Sequence, residues 1–139
     1  MTTTFMLRVA SALSALFTIG HSLGGLQHWS PFENNPVLEA MTTAEFHSGG
    51  VTRTYLDLYV GLGWTISVYM ALQTVLLWQL ATLARTNLAQ ARAMILPFAL
   101  AALVSGIIAW VFILPIPAAF SAALLLALLA AWFGERRAA

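Results

Sequence analysis

Ionisable side chains are concentrated between Gly20 and Asp57 of this 139-residue chain. The stretch holds all three histidines, four of the five acidic residues and one isolated base: His21, His28, His47, Glu33, Glu39, Glu45, Asp57 and Arg53. Histidines and carboxylates are the most frequent general acids and bases in enzymes. They are also ligands for zinc and non-haem iron. The stretch is therefore the part of the sequence that is best equipped for chemistry.

His21 and Asp57 are predicted to form the centre of this site. His21 belongs to a polar stripe on the first apolar segment, whose members recur at steps of three and four: Ser11, Ser14, Thr18, His21, Ser22 and Gly25. An ionisable side chain at membrane depth usually faces the protein interior or a wet cavity. Because Asp57 lies near the same end of the next segment, the two are expected to meet at one depth. Such a pair can relay a proton; the plainer alternative is a histidine that joins two helices.

Other residues are predicted to complete the site. Arg53 precedes Asp57 by four residues, so it is either a catalytic partner or one half of an ion pair. Glu45 is a further catalytic candidate, with simple solvent exposure as its alternative. An apolar ligand pocket is expected to be lined by aromatic, glycine and histidine residues of the same region: Trp64, Tyr59, Gly61, Trp29, His28 and His47.

Metal binding is disfavoured by the spacing of the histidines. The sequence has no H-x-x-x-H or E-x-x-H pair. His21 and His28, seven residues apart, would lie about 10 Å apart on a straight helix. The chain has no cysteine, which excludes thiolate ligands and disulfides. No metal or cofactor is predicted, and a His-ligated metal or haem redox protein stays open as an alternative.

The composition is that of an integral membrane protein. Hydrophobic residues make up 60% of the chain and charged residues 8%, with no lysine, whereas soluble domains carry a mixed charged surface. The mean hydropathy is +0.85. Four apolar segments lie at about 5–25, 55–84, 93–114 and 118–133. Since roughly 20 residues cross a bilayer, they predict an all-α four-helix bundle that forms one domain over residues 1–139.

The first connection, residues 26–54, is too long for a simple linker. Asn35-Pro36 is typical of a helix start, and Gly49-Gly50 is typical of a helix end. The sequence therefore predicts a short interfacial cap helix over residues 35–48, between helices one and two.

Arginines are concentrated at one end of the predicted bundle. Only Arg53 lies at the other end, against five at this one: Arg8, Arg85, Arg92, Arg136 and Arg137. The positive-inside rule then places both termini in the cytoplasm, with a bacterial inner membrane as the expected location. The first helix is expected to stay uncleaved, since no small-x-small cleavage site lies at the expected place. No basic run indicates binding to nucleic acid.

Small residues at every fourth position predict close helix packing. The sets are Gly20 with Gly24, then Ala101, Ser105 and Ala109, and finally Ala127 with Ala131. They are equally consistent with packing inside the bundle and with a homo-oligomer.

A resemblance to a small four-helix bacterial membrane protein family is carried by four segments: Phe46-His47-Ser48-Gly49-Gly50, Arg53-Thr54-Tyr55-Leu56-Asp57, Gly61-Leu62-Gly63 and His21-Ser22-Leu23-Gly24. This resemblance implies an architecture and no activity. The predicted topology is also similar to that of the EXPERA group of sterol isomerases and sterol-binding proteins. That group uses intramembrane carboxylates and an aromatic pocket, and here only Asp57 has a comparable setting.

The function predicted from these features is an outward-facing pocket for a hydrophobic small molecule, such as an isoprenoid, a sterol-like lipid or a quinone. Membrane lipid and a second copy of the chain are the other expected partners. Acid–base chemistry of the isomerase or cyclase type is one interpretation of the His21–Asp57 pair. The alternatives are a metal or haem redox protein and a non-catalytic accessory subunit.

Overall fold

The computed structural model describes residues 2–25 and 35–135. These residues are mostly helical, and they form five α-helices, one π-helical turn and two short strands. In chain order the elements are α1 (Thr3–Gly20), the π-helical turn (His21–Gly25), α2 (Pro36–Thr43), β1 (Glu45–Ser48), β2 (Val51–Thr54), α3 (Tyr55–Thr86), α4 (Leu88–Phe112) and α5 (Pro115–Phe133).

Four of the described helices are long and apolar enough to cross a membrane. Their candidate spans are Thr3–Gly24, Tyr55–Thr86, Leu88–Phe112 and Pro115–Phe133. This confirms the prediction of a mostly helical chain with four such segments. The chain divides into two compact units, the first made of Met1–Phe17 with Met70–Ala139 and the second of Thr18–Tyr69. The prediction that residues 1–139 form a single domain stays a prediction.

In the first unit, α4 and α5 pack as an antiparallel hairpin. Pro115 occupies the first turn of α5, as expected for a residue that has no N–H to donate. The inward face of α4 is made mostly of small residues, which lets the two backbones approach closely: Ala91, Ile95, Ala99, Ala102 and Ala109. A Cβ placed on Gly106 would lie 3.3 Å from the Cβ of Ser121.

The small-residue sets were predicted to pack either inside the bundle or against a second copy, and they differ in how far they are buried within this chain. Ala101 and Ser105 are exposed, because the buried face of α4 lies one residue further along and passes through Ala102 and Gly106. Gly20 and Gly24 have nothing within 4 Å of an added Cβ, so this pair does not pack against another described residue. Ala127 and Ala131 are buried, as predicted.

The connection between α3 and α4 is shorter than the predicted turn over residues 85–92. A single residue, Asn87, separates the two helices, and its side chain accepts a hydrogen bond from the Gln90 N–H at 3.1 Å. Asparagine is a favoured N-cap because its side-chain oxygen satisfies a backbone donor of the first turn. α4, which corresponds to the third predicted segment, therefore begins at Leu88, five residues before the predicted start at residue 93.

In the second unit, the predicted cap helix is real but shorter than expected. Asn35 caps α2, with its Oδ1 accepting from the N–H groups of Val37 at 3.0 Å and Leu38 at 3.3 Å. The helix ends at Thr43, and the prediction that it continues to residue 48 is wrong. The following residues form an antiparallel hairpin of β1 and β2, in which Glu45 lies opposite Thr54 and Ser48 opposite Val51.

Gly49 and Gly50 close this hairpin rather than ending a helix. Their φ angles are +58° and +80°, so both residues are in the left-handed region that a two-residue hairpin turn requires. Glycine reaches this region without the steric cost that a Cβ imposes.

Replacing Gly50 with valine is expected to destabilise the hairpin by about 1–2 kcal/mol, because a β-branched residue is strained at positive φ. Asparagine at the same position is the matched control, since it tolerates this region. Amide hydrogen exchange across β1 and β2 measures the effect. Faster exchange is expected for valine only, and equal exchange in the two variants would contradict the turn assignment.

Candidate functional site

His21 forms the centre of a small polar group in the second unit. Its Nδ1 lies 3.0 Å from the Oγ of Ser67, and the Oγ of Ser22 also lies 3.0 Å from that oxygen. Ser67 is only 5% exposed, whereas His21 and Ser22 are half-buried. We call these three residues the His21 cluster. All of them lie within candidate membrane spans, where polar groups are usually satisfied by other protein groups.

The sequence builds this cluster by placing small residues on α3. Gly63 and Ser67 are the buried residues of the N-terminal half of α3, and they are four residues apart on one face. The Ser67 hydroxyl lies 3.3 Å from the Gly63 carbonyl oxygen. Ser67 was not among the residues predicted for the site. The small-x-x-x-small spacing of Gly63 and Ser67 is the sequence signal that indicates it.

The polar stripe of α1 also makes helix contacts in the first unit. The Oγ of Ser11 donates to the Thr74 carbonyl oxygen at 2.9 Å. Ser14 accepts from the Thr74 hydroxyl at 2.8 Å. The predicted stripe therefore faces α3 in this unit, and these contacts are structural rather than part of a reactive site.

Asp57 has a structural role at the start of α3. Its Oδ2 accepts from the Thr54 N–H at 2.9 Å, while the Thr54 Oγ1 accepts from the Asp57 N–H at 3.1 Å. This reciprocal pair has the geometry of a capping box, in which two otherwise unpaired donors of a helix start are satisfied. Thr54-x-x-Asp57 fits the sequence pattern of that motif, with aspartate in the acidic position.

The prediction that His21 and Asp57 meet at one depth is wrong. His21 contacts α3 at Ser67, ten residues after Asp57, and ten residues of α-helix span about 15 Å. The Asp57 carboxylate instead bonds to Thr54 and is exposed. Because α3 has 32 residues, its first turns extend well beyond the residue that contacts His21. The two side chains are therefore too far apart for direct proton transfer.

Arg53 and Glu45 lie on the two strands of the hairpin. Arg53 is on β2 rather than on the helix, and its Nη1 donates to the Thr52 carbonyl oxygen at 2.8 Å. Within residues 2–25 and 35–135 it forms no ion pair with Asp57 at contact distance, and its positive charge attracts that carboxylate only from further away. Glu45 is exposed on β1, and His47 is exposed on the same strand two residues later. Their contribution to catalysis or binding stays a prediction.

The predicted pocket residues are only partly described. Trp64 and Tyr59 lie on α3 with 44% and 39% of their surfaces exposed. Gly61 has open space around it, as expected of a position that leaves room for a neighbour. His28 and Trp29 lie outside the described residues. Trp64 precedes Ser67 by three residues, so the two occupy neighbouring positions on one face of α3.

Potential metal ligands are dispersed in the described part of the chain. No group of three or more His, Asp or Glu side chains there could hold a metal ion. His21 has serine neighbours, and Asp57 has Thr54. The side chains of the His21 cluster are hydrogen-bonding groups. Its imidazole and two hydroxyl groups can donate to or accept from one polar group of a ligand.

Replacing Asp57 with alanine is expected to destabilise the first turn of α3, since the Thr54 N–H loses its acceptor. Glutamate is the matched control because it occupies the same position in capping boxes. Hydrogen exchange at residues 54–58 reports on this turn. A capping role predicts faster exchange for alanine than for glutamate, and equal rates would count against it.

Comparison with known proteins finds no matching family model, curated protein or solved structure. The resemblance to a small bacterial membrane protein family and the topological similarity to the EXPERA group therefore stay predictions.

Proposed function

We propose that this chain is a multi-pass membrane protein that binds a hydrophobic small molecule beside the His21 cluster. The observation that carries the proposal is the hydrogen bond between His21 and Ser67 inside two candidate spans. An ionisable side chain at this depth is costly, and such residues usually mark ligand, ion or proton sites. His21 is half-buried, so a ligand can reach the edge of its ring from outside the helix pair.

The surroundings of the cluster favour a ligand that is mostly apolar. Leu23, Trp64 and Ile66 are close to it in sequence and are exposed by 65%, 44% and 51%. A molecule with one polar group and a large hydrocarbon body fits a hydrogen-bonding cluster flanked by such side chains. Isoprenoids, sterol-like lipids and quinones all have this composition. Trp64 offers a flat ring against which such a body can pack.

The proposed orientation rests on the arginines of the described helices. Arg8 lies in the second turn of α1, Arg85 in the last turn of α3 and Arg92 in the second turn of α4. These positions are at the same end of three antiparallel spans, so the positive-inside rule assigns this end to the cytoplasm. The His21 cluster then lies toward the outer leaflet of a bacterial inner membrane, with α2 and the hairpin outside.

Binding, rather than acid–base catalysis, is the function that the geometry supports best. The isomerase or cyclase interpretation depended on a His21–Asp57 relay, and the two side chains do not meet. The chemistry left to the cluster is hydrogen bonding by one imidazole and two serine hydroxyls. A role as an accessory subunit is the second candidate, because Gly20 and Gly24 leave an open face on α1 against which another helix can pack.

Purification in a mild detergent followed by solvent extraction tests the proposal. The extract is expected to contain one apolar small molecule in an amount close to that of the protein. An absorption spectrum recorded first separates a quinone from a haem, since haem absorbs strongly in the visible range. Protein that is found only in the soluble fraction, or an extract that contains bulk phospholipid alone, would overturn the proposal.

A further inference from the structure

We propose that Arg8 and Arg85 bind the phosphate of an anionic phospholipid headgroup at the arginine-rich end of α1 and α3. The guanidinium of Arg8 lies over the ring of Trp78, 3.2 Å from its centroid, and its Nη2 donates to the Thr82 hydroxyl at 3.3 Å. Trp78, Thr82 and Arg85 recur at steps of four and three on α3, so they share one face. Arg85 therefore lies one turn beyond the residue that Arg8 contacts.

The positive charge of this face has no acidic partner among residues 2–25 and 35–135. Within the described part of the chain, neither Arg8 nor Arg85 forms an ion pair, and the Nη1 of Arg8 is buried without a hydrogen-bond partner. Contact with a tryptophan ring and a hydroxyl compensates a half-buried guanidinium only in part, since a desolvated charge is costly without a counter-ion. An anion beside the accessible part of this half-buried guanidinium would offset its charge and so reduce that cost.

A phosphate is the anion that fits two arginines best. Guanidinium groups donate parallel hydrogen bonds to phosphate oxygens, and a threonine hydroxyl can add a third. Trp78 is 55% exposed beside them, at the depth where tryptophan lies among lipid headgroups. Basic side chains at the cytoplasmic ends of spans attract anionic lipids. A lipid is therefore favoured over free phosphate, because its acyl chains can also cover the exposed Trp78 ring.

This inference rests on the proposed placement of the chain in a membrane. Native mass spectrometry of the purified protein with added phosphatidylglycerol, phosphatidylcholine or inorganic phosphate tests it. Wild-type protein is expected to retain phosphatidylglycerol in preference to phosphatidylcholine. The double variant Arg8→Gln with Arg85→Gln is expected to retain about tenfold less, since each arginine contributes separately. Arg53→Gln, which removes the same charge from the hairpin, is the control and is expected to match wild type.

The Arg85→Gln single variant guards against misfolding, because this exposed side chain has no described hydrogen bond. A loss of roughly threefold is expected for it. Equal retention of phosphatidylglycerol by wild type and both variants would overturn the inference. Displacement of the lipid by millimolar inorganic phosphate would overturn it too, since the site would then belong to free phosphate. His21→Ala is expected to keep phosphatidylglycerol. If the small-molecule proposal fails, the arginine variants still lose the lipid, so the two failures can be told apart.

Discussion

Replacing Gly106 with leucine is expected to weaken the α4–α5 hairpin by about 1–3 kcal/mol, the usual cost of overpacking a close contact. An added Cβ at this position already lies 3.3 Å from the Cβ of Ser121, and a leucine side chain extends well beyond it. The two helices must therefore separate or shift along one another. Either movement exposes small residues that now pack together, including Ala102 and Ala109.

Gly61→Leu is the matched control for this experiment. Gly61 is also inside a helix, but nothing lies within 4 Å of an added Cβ. The change in helix propensity is the same at both positions, so the difference between the variants isolates the packing term. Titration from a mild detergent into sodium dodecyl sulfate, followed by circular dichroism, measures the stability. Gly106→Leu should unfold at a lower fraction of the denaturing detergent, and equal midpoints would contradict the close approach of α4 and α5.

Replacing Ser67 with alanine is expected to lower retention of the bound small molecule about tenfold, which corresponds to about 1.4 kcal/mol. The hydroxyl of Ser67 lies 3.0 Å from His21 and 3.0 Å from Ser22, so its loss removes one hydrogen bond from each of these side chains. Alanine is small enough to keep the contact between the helices. The effect should therefore appear in binding more than in stability.

Thr65→Ala is the control for Ser67→Ala. Thr65 lies on the same helix two residues away, but its hydroxyl donates to the Gly61 carbonyl oxygen of its own helix at 2.9 Å. It contacts no member of the His21 cluster through that bond. Ligand retention is measured by extraction and mass spectrometry of equal amounts of protein. Equal losses in the two variants would mean that the Ser67 hydroxyl has no specific role in binding.

The sequence predicts the long helices well because length and hydropathy are local properties. The four apolar segments and the capping residue Asn35 follow from the residues themselves. The hairpin is a different case. Its strands have four residues each, and a Gly-Gly pair is equally consistent with a helix end and with a two-residue turn. Only the positive φ of both glycines decides between these two structures.

The contact of His21 could not be predicted from its position near a helix end. The 32 residues of α3 exceed the length of a simple span, so many of its residues could have lain level with His21. Ser67 decides the level, because its hydroxyl is the group on α3 that contacts His21, and it is buried together with Gly63 on one face of that helix. The charge of Asp57 favours a catalytic role on sequence grounds. In the structure its carboxylate instead accepts a hydrogen bond from the Thr54 N–H at the start of its own helix.

The most direct test of the proposed function is native mass spectrometry of the protein released from detergent, with wild type, His21→Ala and His47→Ala compared. His47, also predicted to line the pocket, is exposed on β1 and has no described contact with the His21 cluster, so a site beside that cluster predicts that its replacement leaves binding unchanged. Binding beside the cluster predicts one apolar small molecule on wild type and on His47→Ala, and at least about tenfold less on His21→Ala. Protein without a bound molecule, or equal binding by all three proteins, would contradict it.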